Sequence, residues 1–351
     1  MEAALITGRH ELAITEMPEP EPGITGVVVD VDLCGICGSD LHAYRSGASY
    51  SPALCGHEWT GVLSAVGDGV GALPGAASEL TEGDRVVVAV PPACGACAAC
   101  LAGQAARCEL VYLTAIGREP NAPAHGGFAP RLAVDAGRVV KAHPDLSITE
   151  AAQVEPATVA FHAVRRTQPR LGDLAVVQGA GPIGLTTVQW VAAAGAGEIV
   201  VIEPNDTRRA GAARLGATVT TTPDEAAALI LDLSGGLGAD VVYECVGRAQ
   251  AIQSAVALAR RGGVVSMIGV PFETASIQPG MWLVKEITMQ ASLAYTHEDF
   301  EPAMKMIAAG KVDLEAIHTK TVDLDGLGAA FEDLATGATD DLKILVDPNQ
   351  R

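Results

Sequence analysis

Residues 174–203 read LAVVQGAGPIGLTTVQWVAAAGAGEIVVIE, and this stretch decides the fold. Leu174 to Gln178 is a short apolar run, the length of a buried strand. It ends in Gly179-Ala180-Gly181-Pro182-Ile183-Gly184, a G-x-G-x-x-G. Pro182 to Ala194 then has helical length, and Ile199 to Ile202 reads as a second buried strand. In a chain with 39 glycines such a triplet alone means little. Between a strand and a helix it has a mechanism. Gly179 allows the tight turn, Gly181 lets the backbone approach a pyrophosphate, and Gly184 lets helix and strand pack closely. Pro182 and Ile183 open the helix, whose free N–H groups face the phosphates. Glu203 closes the second strand roughly 20 positions after the loop, where an acid accepts from ribose hydroxyls.

Further on, Asp240–Cys245 and Gly263–Ile268 read as strands, with the helical stretch Ala249–Arg260 between them. Alternating strand and helix imply a doubly wound parallel sheet, a Rossmann domain. Ile268, Gly269 and Val270, where the last of these strands ends, join the candidates for the cofactor site. The chain before Val154 has another grammar. Apolar runs such as Val27–Val31 and Arg85–Val90 are short and broken by turn residues, as in Gly67-Asp68-Gly69. This predicts a mainly β domain of barrel or sandwich type. The stretch after Ala294 is mixed and ends in the strand-like Leu342–Val346. The expected division is 1–154 for a first domain, 155–294 for the Rossmann domain, and 295–351 for a return to the first.

Bulk properties set limits. At 351 residues the chain exceeds what one hydrophobic core usually serves, about 250–300 residues. A formal charge of −19 repels phosphate backbones and anionic lipid, so neither nucleic acid nor a membrane surface is an expected partner. Met1 to Gly8 lacks the pattern of a signal peptide, and no apolar run approaches the roughly 20 residues of a membrane helix. A cytoplasmic location follows as the expectation. There the eight cysteines point to metal rather than disulfides. Cys94, Cys97, Cys100 and Cys108 are clustered, and four thiolates close a tetrahedral structural zinc site in a lobe at 94–108. Cys34, Cys55 and Cys245 read as small buried hydrophobes. His10, His125, His143, His162, His297 and His318 read as surface or locally bonded residues.

Three more motifs complete the pattern: Cys34-Gly-Ile-Cys37-Gly-Ser39-Asp40-Leu-His42, Gly56-His57-Glu58-Trp-Thr-Gly61, and Glu155-Pro156. With the four-cysteine lobe and the glycine loop they stand in one order, and the chain resembles the zinc-containing medium-chain alcohol dehydrogenases along nearly its whole length. Cys34–Tyr44, Glu155–Arg166 and Lys343–Asn349 are most similar to the branch of polyol, 2,3-butanediol and sorbitol dehydrogenases. The resemblance implies a GroES-like catalytic domain beside the Rossmann domain, two zinc ions, and a homodimer or homotetramer. It implies a catalytic zinc held by Cys37, His57 and a carboxylate, with Glu58 and Glu155 both eligible. Such a site needs about three protein ligands and an open position. Asp40 would hold the His57 imidazole in its ligating tautomer. Ser39 would hydrogen-bond the alcohol oxygen and His42 would pass its proton to solvent. One departure is Pro130-Arg131, where family members commonly carry an acid and an aromatic.

The expected activity is hydride transfer between NAD and a secondary alcohol, vicinal diol or polyol. Glu203 favours NAD over NADP, whose 2′-phosphate it would repel, while Arg208 and Arg209 are the counterweight; Arg208 is also placed to cover the adenosine. Val90, Val270 and Leu293 are candidates for the substrate pocket. The alternatives are a threonine 3-dehydrogenase-like or other alcohol dehydrogenase, a zinc-free quinone-reductase-like relative, and a non-catalytic zinc- or dinucleotide-binding protein. Intact Ser39, Cys37, His57 and Glu155 weigh against the last two.

Overall fold

The computed structural model describes residues 1–47, 55–89, 93–104, 107–115 and 124–350. The chain divides into two compact units. The first comprises Met1–Glu155, Thr296–Ala308 and Leu314–Arg351, the second Pro156–Tyr295 and Ala309–Asp313.

The first unit contains β1 (Glu2–Gly8), β2 (Glu11–Glu16), β3 (Gly26–Gly35), β4 (Glu58–Val66), β5 (Arg85–Val88), β6 (Arg131–Asp135) and β7 (Val139–Lys141). β1 and β2 form a hairpin. The second unit supplies β8 (Leu174–Gln178), β9 (Glu198–Ile202), β10 (Val219–Thr221), β11 (Ala239–Glu244), β12 (Ala259–Met267) and β13 (Thr288–Ala291). The chain then adds β14 (His318–Val322) and β15 (Lys343–Val346) to the first unit.

β3 organises the first unit. Its sequence alternates, so Val27, Val29 and Val31 are buried while Asp30 and Asp32 are only partly so. The valines join a core that includes Trp59, Leu63, Phe128 and Phe331. The sheet runs β14-β15-β3-β4-β5-β7, with β6 also paired to β3. β6 takes the early part of β3, through Gly26–Asp30, and β15 takes its end at Cys34 and Gly35. On the other edge Gly35 is opposite Glu58 of β4. The last strand of the chain therefore starts beside the residues that open the zinc motifs. The Pro130-Arg131 departure has a plain structural use: Arg131 opens β6 opposite Asp30 and its Nε donates to Asp30 Oδ1 at 2.7 Å.

The second unit is a six-stranded sheet in the order β10-β9-β8-β11-β12-β13 with every pair parallel. Counted from β8 this is the doubly wound order 3-2-1-4-5-6. Its central strands β8, β9 and β11 are buried almost throughout, as strands covered on both faces require. Two readings change. The helix expected to reach Arg260 ends at Leu258, and Arg260 lies in β12, its Nε donating to Asp240 Oδ1 at 2.6 Å. Cys245 is half-buried rather than a core residue. Among the described residues no helix is long and apolar enough to cross a membrane.

Candidate functional sites

The helix Gly38–Ser46 begins where β3 ends, and Cys37 is its N-cap. Asp40, fully buried, accepts from the Cys37 backbone N–H at 2.9 Å through Oδ2. Its other oxygen lies 3.7 Å from His57 Nδ1. One carboxylate thus braces both the helix start and the imidazole. Ser39 and His42 stand three positions apart on this helix, hence on one face, and both are half-buried.

Cys37, His57 and Glu58 offer ligand atoms that all lie within 4.8 Å of one another. Burial by itself lowers the His57 pKa, but the Cys37 thiol and the Asp40 carboxylate beside it reverse this and hold it well above the usual value. Glu155, itself buried, adds to that effect without belonging to the three-residue cluster. A pocket with this much negative character and one thiol, one imidazole and carboxylates fits a zinc ion. The Glu58 side has a neighbour that the sequence did not reveal. Lys343, at the start of β15, is buried and ion-paired to Glu58 Oε2, and its Nζ also donates to the Ile36 carbonyl at 3.0 Å. Burial lowers the Lys343 pKa, yet Glu58 and Cys37 outweigh it and keep the ammonium charged. Gly35 makes room: a β-carbon there would overlap Glu58 Oε2 and lie 2.8 Å from Lys343 Cε.

The four cysteines of the lobe also converge, with all four sulfurs within 4.8 Å of one another. Cys97 and Cys100 sulfurs are 3.5 Å apart, Cys94 and Cys100 4.0 Å. Disulfide sulfurs would be near 2.05 Å, and all eight cysteines are free. Tetrahedral zinc with Zn–S bonds of about 2.3 Å puts its sulfurs ~3.8 Å apart, so the lobe fits that ion. Backbone N–H groups of Glu109 and Cys100 draw the Cys97 pKa down to about 6. Desolvation and the Cys97 thiolate push Cys100 up to about 12. Cys97 is thereby primed to shed its proton to a metal, and Cys100 would give up its own only on binding one.

The glycine loop follows β8. Gly181 is the N-cap of the helix Pro182–Ala193, with Pro182 in its first turn. A β-carbon on Gly184 would overlap the Gly179 carbonyl, whereas one on Gly181 meets nothing within 4 Å. Gly184 thus serves close packing, and the Gly181 backbone is open to a phosphate. Glu203 is buried and already engaged: Oε2 accepts from Ala180 N–H at 2.8 Å and Oε1 from Asn205 N–H at 3.0 Å. Arg209 is tied to the Glu203 and Pro204 carbonyls at 2.7 and 2.8 Å. Arg208 Nε is buried with no hydrogen-bond partner among the described residues.

Elsewhere, Val90 lies outside the described residues. Val270 and Leu293 are exposed. Cys34 and Cys55 are buried as expected. His125 and His162 are buried, and His125 is locally bonded as expected, its Nδ1 2.9 Å from the Gly126 carbonyl.

A doubly wound sheet carrying a dinucleotide loop, and a mainly β unit carrying a three-ligand and a four-thiol site, define a zinc- and nicotinamide-dependent oxidoreductase. Comparison with known proteins agrees. Residues 23–145 match the alcohol dehydrogenase GroES-like domain, and residues 182–309 the zinc-binding dehydrogenases. The chain is 33% identical to 2-dehydro-3-deoxy-L-galactonate 5-dehydrogenase of Pseudoalteromonas atlantica, covering 99% of each chain. It is 31% identical to sorbitol dehydrogenase of Bacillus subtilis, over 100% of this chain and 98% of that one. An alcohol dehydrogenase from Escherichia coli CFT073, solved with NADH, superposes with a TM-score of 0.83 at 27% identity, covering 99% of both chains. The chain belongs to the zinc-containing medium-chain alcohol dehydrogenase family, in its polyol branch. It is an oxidoreductase of small-molecule alcohols whose cofactors are zinc and a nicotinamide dinucleotide.

Proposed function

We propose that the protein oxidises a secondary alcohol, vicinal diol or polyol to its ketone with NAD, and that Cys37, His57 and Glu58 hold the catalytic zinc. The observation that carries this is the convergence of those three side chains, with Asp40 bracing two of them. When bound, zinc makes the substrate hydroxyl more acidic and the nicotinamide accepts the hydride. The protein's own residues do the rest. Asp40 positions Cys37 by accepting from its backbone N–H and draws the His57 ring by charge from 3.7 Å. Ser39 Oγ accepts the substrate hydroxyl's hydrogen bond, and His42 carries the proton on toward solvent. Glu155 stands as the alternative carboxylate ligand. Cys94, Cys97, Cys100 and Cys108 hold the structural zinc.

On the cofactor side, Gly179, Gly181, Pro182, Ile183 and Gly184 take the pyrophosphate. Glu203 takes the adenosine ribose and disfavours a 2′-phosphate, and Arg208, with its unpartnered Nε, lies over the adenosine. Ile268, Gly269 and Val270 line the nicotinamide half. Two exposed apolar residues near the sheet edge, Leu283 and Val284, suit a homodimer or homotetramer, and we assign the enzyme to the cytoplasm. The test is a panel of ethanol, 2,3-butanediol, sorbitol and L-threonine followed by NADH formation. Secondary alcohols and diols should exceed ethanol. Ser39→Ala should lower kcat by roughly 10²–10⁴-fold with zinc content unchanged. Efficient ethanol turnover with none on the diols and polyols would reject the substrate class.

A further inference from the structure

Glu244, the last residue of β11, is fully buried and has no part in the sites above. Its surroundings are unusual for an acid. Side-chain Oε1 accepts from the backbone N–H of Val246 at 2.7 Å and of Gly247 at 2.8 Å. Its backbone carbonyl accepts from Ile268 N–H and Gly269 N–H, both at 2.9 Å. One residue therefore binds four N–H groups from two turns, the one after β11 and the one after β12. The turns are pressed together. Gly247 is left-handed, with φ 71°, and a β-carbon there would sit 2.6 Å from the Val270 carbonyl; one on Gly269 would overlap Gly247 N.

The position gives this clamp a purpose. In a doubly wound sheet the ligand lies at the carboxyl ends of the strands. Gln178, which precedes the glycine loop, is the register partner of Glu244. Glu203 directly follows β9 on one side of that loop, and β11 and β12 lie on the other. If the adenosine ribose goes to Glu203, the nicotinamide half goes to the rim formed by residues 245–247 and 268–270. Burying a carboxylate is costly, and burial raises the Glu244 pKa even though Val246 and Gly247 pull it down. An apolar residue would fill the space without that cost but would leave the two N–H groups unheld.

We propose that Glu244 is a positioning residue for the cofactor: it preforms the rim that receives the nicotinamide half, without touching the reacting atoms. This rests on the reading that the dinucleotide binds at this sheet edge. The test uses the zinc-loaded enzyme. NADH binding is followed by fluorescence, and AMP binding, which needs only the adenosine side, by calorimetry. Glu244→Leu should weaken NADH by roughly tenfold or more, since two bonds to a charged acceptor are lost. It should leave AMP affinity unchanged. Glu244→Gln, whose amide oxygen still accepts both N–H groups, should stay within about threefold of wild type. Hydrogen exchange of the wild-type protein supplies a readout without any variant: the Val246 and Gly247 amides should be protected before NADH is added. Unchanged NADH affinity in Glu244→Leu, an equal loss of AMP, or fast exchange at both amides until NADH binds would each overturn the proposal. Failure of wild-type protein to bind AMP or NADH would instead reject the cofactor site itself.

Discussion

Replacing Lys343 by Met tests how the Glu58 side of the metal site is built. Both partners of the Glu58–Lys343 pair are 2% exposed, so water does not screen what remains when one is removed. Methionine fills much the same volume but leaves Glu58 as an uncompensated buried charge. Breaking such a pair costs about 3–5 kcal/mol. For a unit of this size each kcal/mol moves Tm by roughly 2–4 °C, so the zinc-free protein should melt roughly 6–20 °C lower. Two comparisons refine the result. The double variant Glu58→Gln, Lys343→Met should recover most of the loss, because neither charge is then stranded. Zinc-loaded Lys343→Met should lose less than the zinc-free form, because a metal bound by Glu58 supplies the missing positive charge. Scanning calorimetry with and without chelator reads all of this. A change of Tm of less than about 2 °C in the zinc-free single variant would refute the reasoning. An equal loss with and without zinc would show that Glu58 does not face the metal.

Three further outcomes follow from other parts of the molecule. Cys108→Ser should lower zinc content from two to one per chain by elemental analysis, and lower Tm while kcat of the surviving enzyme is kept, since a closed thiolate site contributes folding free energy. Glu203→Gln should narrow the preference for NAD over NADP in kcat/KM; it removes the charge and keeps an acceptor for one of the two N–H groups, Ala180 or Asn205, that the carboxylate holds, and an unchanged ratio would exclude Glu203 as the selector. Glu244 has a carboxyl pKa raised by burial above the ordinary 4.5, so the folded protein binds its proton more readily than the unfolded chain. Its contribution to stability therefore falls as pH rises from 4.5 through the raised value. Denaturant unfolding across that interval should show a shallower fall with pH in Glu244→Gln than in wild type.

The parts of this enzyme that sequence exposes are those whose chemistry is local. The glycine loop lies within a few residues, and so do the cysteines of the lobe, and spacing alone suggests what each binds. Cys37, Ser39, Asp40 and His42 are also close together, because one helix N-terminus carries them. The contact that sets the charge beside the metal is not local. Glu58 and Lys343 are separated by 285 positions and meet only because β15 joins the far end of β3. No periodicity announces that pairing; a lysine opening the apolar run Lys343–Val346 was the single visible oddity. Glu244 is similar. An acid at the end of an apolar strand, followed by Val246-Gly247, looks like a strand terminus reaching solvent, and only the fold shows that its carboxylate turns back to hold the turn after β11 while its carbonyl holds the turn after β12. The helical pattern of Ala249–Arg260 runs past the helix end at Leu258, and Arg260, paired with Asp240, lies in β12.

The proposed reaction moves a hydride from a secondary carbinol carbon to NAD at a site built on Cys37. A secondary alcohol deuterated at the carbinol carbon, incubated with NAD and the zinc-loaded enzyme, tests it directly by mass spectrometry of the cofactor. Each NADH formed should carry the deuterium, the ketone should appear in equal amount, and Cys37→Ser should yield neither while still binding NADH. Unlabelled NADH alongside the ketone, or full label transfer by Cys37→Ser, would contradict it.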